Sequence, residues 1–199
     1  MSAHSPAHGT TAPIMSTALV LIDLQNDYFP GGAMELVGAE SAVSQAAKLL
    51  KVFRQGGLPI FHIQHIAKRA GATFFLPGTK GADIHAAVSP AAGEALVVKH
   101  FPNGFRETPL HDSLRSAGIS QLVFAGMITH MCVDTTVRAA ADLGFRCFLA
   151  SDACATRDLQ FSGERVAARD VQLSYLAALD GTFANVRSTD ELCGERWAK

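Results

Sequence analysis

This chain of 199 residues lacks most of what would place it outside the ordinary globular class. No run approaches the roughly 20 apolar residues needed to span a bilayer, so no membrane partner is expected. Basic and acidic residues are interspersed and nearly balanced, 17 against 18. Without a basic stripe to hold a phosphate backbone, nucleic acid is not an expected partner either. The four cysteines, at 132, 147, 154 and 193, form no C-x-x-C pair and no zinc-type spacing. In a chain this long they read as reduced thiols of the cytoplasm, mostly packed as small hydrophobes. No internal repeat is present. Residues 1–16 lack both the charged and the apolar regions of a signal peptide. Rich in Ser, Ala, Thr, His and Pro, they read as a flexible leader, with Met15 a conceivable alternative start. Residues 17–199 then form one domain.

What is present is 48% hydrophobic residues in a regular alternation. Short apolar runs at 18–23, 59–64, 96–99, 121–126, 146–151 and 182–186 predict six strands. Between them lie helical patterns at 39–55, from Thr108-Pro109 to Gly118, at about 132–143 and at 163–180. Continuous Val, Ile, Leu and Phe runs, not alternating ones, mean strands buried on both faces. The fold class is therefore α/β: a three-layer αβα, Rossmann-like architecture with about six mostly parallel strands and helices on both faces. Most connections are short. The stretch from Ala67 to Leu96, with GATFFLPGTKGADIH, is long and irregular, and so reads as a pocket wall or lid.

Ligands of open parallel sheets collect beyond the carboxyl ends of the strands. The polar residues there are Asp23, Gln64 and His65, Lys99, then Thr129, His130 and Cys132, then Ser151 and Asp152. An acid, a base and a thiol thus emerge on one edge. Taken singly, each has a plain structural reading: a turn cap, a solvated amine, a core cysteine. Cys132 carries a further argument, because VDTTVRAAADLG after it is helical. A thiol at a helix start meets free N–H groups and the positive end of the dipole, which lowers its pKa and can hold an oxyanion.

LVLIDLQNDYFPGGAM (19–34), VVKHFPNGF (97–105) and VFAGMITHMCVDTTVRAAADLGF (123–145) resemble the three signature blocks of the isochorismatase-like cysteine hydrolases. SDACAT (151–156) fits the family's segment after the fifth strand, and the resemblance runs over about residues 17–190. It implies Asp23, Lys99 and Cys132 as the catalytic residues, and a non-proline cis peptide at Met127–Ile128. It also implies an oxyanion hole made by the backbone N–H groups of Ile128 and Cys132. The implied chemistry is covalent cleavage of a carbon–nitrogen bond in a small amide or carbamoyl substrate, through a thioester at Cys132. It implies a homodimer or homotetramer too, for which the apolar ATFFLPG loop is a candidate interface.

Departures from the family pattern narrow the subtype. Where the family's nicotinamidases carry a metal-binding D-x-H, this chain has FHIQHI with Gln64. His62 and His65, three apart on a strand, point to opposite faces and make a poor ligand pair. No metal or other cofactor is therefore expected, although Asp83 and His85 leave a site built from the loop alone conceivable. His65 reads as a pocket hydrogen-bonding residue and His62 as a buried, satisfied one. Phe29, Gln64, Phe74, Phe105 and His130 are further pocket candidates, with Phe75 beside them; for the aromatics a place in the core is an equal reading. The competing readings are a metal-dependent nicotinamidase and a non-catalytic α/β binding module. A phosphoacceptor receiver domain is excluded, because VLID supplies no acidic pair ahead of Asp23.

Overall fold

The structure, a computed structural model, describes residues 16–198. The expected leader lies outside the described residues except for Ser16, which already belongs to the first strand. The elements run β1 (Ser16–Ile22), α1 (Ala39–Gly56), β2 (Ile60–His65), β3 (Ala95–Lys99), α2 (Leu110–Ser116), β4 (Ile119–Met127), α3 (Asp134–Asp142), β5 (Arg146–Ala155), β6 (Leu159–Phe161), β7 (Glu164–Val166), α4 (Ala168–Leu179), β8 (Asn185–Arg187) and α5 (Thr189–Gly194). Six strands form one sheet in the order β3-β2-β1-β4-β5-β8, with every pairing parallel.

Residue alternation on β1 shows why the sheet needs helices on both sides. Leu19 and Leu21 pack with Ala46, Leu50 and Phe53 of α1. Ala18, Val20 and Ile22 pack on the other face with Leu110 and Leu114 of α2 and Val137 and Ala140 of α3. All three layers follow from that one strand being apolar at every position from Ala18 to Ile22. No helix among the described residues is long and apolar enough to cross a membrane.

Two expectations are corrected. The helix read over 163–180 begins only at Ala168, because residues 159–166 form an antiparallel hairpin. Its two-residue turn, Ser162-Gly163, has positive φ at both positions (50° and 86°), the geometry that matches strand twist. Cys154, read as a loop residue, lies buried in a β5 that continues to Ala155. In the ATFFLPG loop Phe75 is fully buried and Phe74 half-buried, while Leu76 is 39% exposed.

The chain passes β1, β2 and β3 outward in one direction, then returns to the other side of β1 for β4. The switch point between β1 and β4 is where a cleft opens at the carboxyl edge. There β4 approaches β1 very closely. Gly126 pairs with Ile22, its φ is +148°, and a Cβ on it would stand 2.2 Å from the Ile22 carbonyl oxygen. Only glycine fits. Gly126→Ala should lower the urea midpoint by the equivalent of about 3 kcal/mol, from combined clash and backbone strain. Gly144→Ala is the control: φ is +87° but nothing lies within 4 Å of its Cβ, so a loss of only about 1 kcal/mol is expected. Equal losses in the two variants would contradict this account of the β1–β4 contact.

Candidate active site

Three adjacent strands end side by side. Asp23 follows β1 directly, His65 ends β2, and Lys99 ends β3 in register with His65. Asp23 adopts φ +49°, a left-handed conformation that Asp tolerates better than most residues, as the chain turns off the sheet. From the far side of the switch point, β4 delivers a cis peptide at Met127–Ile128 and a π-helical turn over Thr129–Val133 that contains Cys132.

Lys99 is the hub. Its Nζ lies 2.7 Å from Asp23 Oδ2, 3.0 Å from His65 Nδ1, 3.1 Å from the Phe101 carbonyl oxygen and 3.3 Å from Cys132 Sγ. Asp23 and Lys99 are both 0% exposed, and Cys132 is 3% exposed. An ammonium group only donates, so His65 Nδ1 must accept, which assigns the ring proton to Nε2. Burial penalises the Lys99 ammonium, but Asp23 and Cys132 together outweigh it and hold the lysine pKa above its ordinary value. Burial and then the Lys99 charge press His65 down from 6.5 to about 4, so the ring is neutral.

Cys132 departs from the sequence expectation. Burial raises its thiol pKa, and Asp23 raises it further both by its charge and by accepting the thiol hydrogen. Lys99 pulls in the opposite direction without prevailing. A position at a helix start is therefore outweighed by desolvation, and the resting group is a neutral thiol. Cys147 and Cys154, both pushed up to about 12 by burial, are inert core thiols.

Above Cys132 opens a cavity of about 370 Å³, the size of a small-molecule site. Cys132, Ile128, His65, Tyr28, Phe74 and Phe75 are in its wall, together with Lys68, Arg69, His100 and Arg157. Asp23 and Lys99 lie outside this lining, fully buried in contact with Cys132 and His65. Of the candidates from sequence, His65 and Phe74 line the cavity, while Phe29, Gln64, Phe105 and His130 do not. Phe29 stacks on His85 with centroids 4.1 Å apart, and Phe105 stacks on Phe145 at 6.3 Å. His130 Nδ1 meets Thr156 Oγ1 at 2.6 Å, and its ring packs near Tyr175. Gln64 donates to the Ala82 carbonyl at 2.9 Å, tying down the irregular segment. His62 turns away from the site to Glu94 Oε2 at 2.8 Å, although its Nδ1 has no partner among the described residues.

Sequence reasoning missed two residues that build the wall. Gln25, fully buried, donates to the His65 and Ala82 carbonyls (2.9 and 2.7 Å) and accepts from the His65 N–H (2.7 Å). Asp27 accepts from the Ala33 N–H (3.2 Å) and the Phe75 N–H (2.6 Å). A Cβ on Gly81 would stand 2.0 Å from Asp27 Oδ1, so this loop closes only with glycine there. The 67–95 segment is thus a pinned wall. Both residues stand in the LQNDYF block, whose polar spacing after a strand was the available signal.

Among the described residues, the only cluster with metal-ligand spacing is Asp23, His65 and Cys132, whose donor atoms lie within 4.8 Å of one another. Lys99 Nζ contacts all three. A cation bound to those donors would have to displace or abut an ammonium group, so the residues present do not fit a metal. Asp83 and His85 form no such cluster; His85 Nδ1 accepts from the Ala87 N–H instead.

A doubly covered parallel sheet with a thiol, a buried acid and a buried amine at its switch point is the arrangement of an α/β enzyme, and comparison with known proteins makes that enzyme a hydrolase. The Isochorismatase domain pattern matches residues 17–190, and the chain belongs to the isochorismatase family. It is 47% identical over 176 residues to the uncharacterized isochorismatase family protein YddQ of Bacillus subtilis, covering 88% of this chain and 98% of that one. The crystal structure of a putative isochorismatase hydrolase from Oleispira antarctica superposes with a TM-score of 0.88 at 49% identity, covering 94% and 100% of the two chains. N-carbamoylsarcosine amidase from Thermoplasma acidophilum superposes with a TM-score of 0.75 at 26% identity, covering 88% and 98%.

The neutral His65 sets a pH dependence. Its folded pKa lies below its ordinary value, so as pH falls the unfolded chain takes up the proton first. The stabilisation is complete above about 6.5 and is lost as pH falls toward about 4. Urea midpoints measured near pH 7 and about pH 5 should fall more in the wild type than in His65→Gln, which keeps an acceptor for Lys99 but cannot protonate. Identical falls would contradict the assignment.

Proposed function

We propose that this chain hydrolyses a carbon–nitrogen bond of a small amide or carbamoyl compound, with Cys132 as nucleophile. The observation that carries the reading is Lys99 Nζ within 2.7 Å of Asp23 and 3.3 Å of Cys132, all three buried beside one cavity. The Asp23 carboxylate takes the Cys132 proton as Sγ attacks the substrate carbonyl. The oxyanion is held by the backbone N–H groups of Ile128 and Cys132, both of which belong to cavity-lining residues. Asp23 returns the proton to the departing nitrogen, leaving a thioester. It then deprotonates a water that attacks the thioester carbonyl, and the expelled thiolate recovers that proton. His65, with Nε2–H in the cavity wall, is a donor for the substrate.

Four free thiols are in keeping with a reducing, cytoplasmic setting. We also propose that the chain self-associates as a dimer or tetramer. Exposed apolar surface for it is offered by Phe161 on the β6–β7 hairpin, 81% exposed, and Leu173 on α4, 64% exposed.

A screen of amides, carbamoyl compounds and nitriles for ammonia release tests the reading. Turnover by the wild type should fall by about a thousandfold or more in Cys132→Ala, Asp23→Asn and Lys99→Met. It should survive dialysis against a strong chelator, because Lys99 fills the only donor cluster among the described residues. Retained activity in Cys132→Ala overturns the reading. Loss on chelation with rescue by zinc replaces it with the metal-dependent nicotinamidase reaction.

A further inference from the structure

The charges around the cavity are one-sided. Lys68, Arg69 and Arg157 all stand in its wall, each exposed, and no Asp or Glu is among the lining residues. Seven of the other basic side chains are held in ion pairs, whereas none of these three has an ion pair or a hydrogen bond among the described residues. The imbalance is local, since the whole chain carries a net charge of −1. A second observation points into the same space. Tyr28, only 2% exposed, lines the cavity, and its hydroxyl has no hydrogen-bond partner among the described residues. Beneath these groups the wall is apolar, formed by Met34, Phe74, Phe75 and Met131.

An unpaired guanidinium beside an apolar wall and a free phenolic donor suits a planar anion on a compact organic body. Arg holds a carboxylate through two parallel hydrogen bonds, and the tyrosine hydroxyl supplies a further donor. Lys68 and Arg69, as fixed positive charges without a nearby acid, concentrate anions at the entrance and exclude cationic amides. We infer that the substrate is an anion, a small amide or carbamoyl compound whose second end is a carboxylate bound by Arg157 and Tyr28, with Lys68 and Arg69 steering it in. The inference rests on the amide-hydrolase reading, and names the substrate class for that same site.

Binding and turnover separate the two claims. Calorimetry on Cys132→Ala uses N-carbamoylglycine, succinamate and phthalamate, each beside its methyl ester, with glycinamide as the cationic member. Each carboxylate that binds should do so about tenfold more tightly than its ester, and the preference should collapse below about threefold in Arg157→Gln but persist in part in Arg157→Lys. Raised salt should weaken the anions and leave the esters unchanged. In wild-type turnover, Arg157→Gln should raise KM for the anionic members while kcat changes little. If an ester or glycinamide is the tightest binder, if no carboxylate binds, or if Arg157→Gln leaves the preference intact, the inference is overturned. Anion binding without ammonia release from any member would support the anion site and count against the hydrolase reading alone.

Discussion

Everything at this site depends on one buried ion pair. Lys99 and Asp23 are both fully removed from solvent, which is expensive for each charge alone and tolerable only because their atoms lie 2.7 Å apart. Taking either away would leave the other uncompensated, at a cost of about 3–5 kcal/mol. In the proposed reaction the same geometry gives the pair its chemical use. When a proton passes from Cys132 to Asp23, the negative charge moves from oxygen to sulfur while Lys99 stays within reach of both. The total charge in the pocket does not change, so a thiol whose pKa is raised at rest can still become a nucleophile without a bare charge appearing in a low-dielectric space. A standing thiolate is not needed. The ammonium is a constant counter-ion for a moving negative charge.

Around this pair the fold separates rigid from adaptable parts. Gly126 lets β4 press against β1, bringing the Met127–Ile128 peptide and Cys132 alongside Asp23. Gln25 and Asp27 direct their side-chain hydrogen bonds to backbone groups of β2, the 67–95 segment and the turn after β1. These polar residues are thus fasteners, and Asp27 holds the Phe75 N–H in the wall. Variation remains available at the rim, where Lys68, Arg69 and Arg157 are exposed and hold no ion pair among the described residues. Chemistry beneath and selectivity above is the division this arrangement permits.

Much of this was legible in the chain. Apolar runs without alternation located the sheet strands to within a few residues, and the strand-end rule put Asp23, Lys99 and Cys132 on one edge before any geometry was known. The less legible features have physical reasons. The hairpin at 159–166 escaped because LQF and ERV are short and polar, leaving the Ser162-Gly163 dipeptide as the sole signal. The α5 helix carries a Ser188–Glu191 capping box, readable as S-x-x-E, yet is too short to show periodicity. Phe29 and Phe105 stood close in sequence to site residues but face neighbouring rings, a choice that side-chain direction makes and composition does not. The direction of the Cys132 pKa depended on how deeply the turn is buried, which position at a helix start does not reveal. Arg157 entered the cavity only because β5 runs on to Ala155 and carries the chain across the sheet edge.

The central claim is that negative charge passes from Asp23 to Cys132 under Lys99 and becomes a covalent bond to the substrate. Acid quenching within the first turnover of an amide substrate, followed by peptide mass mapping, tests it most directly. The account predicts an acyl mass on the peptide containing Cys132, which decays as hydrolysis proceeds and fails to form in Lys99→Met. Turnover with no acyl adduct, or an adduct on Cys147, Cys154 or Cys193, would contradict it.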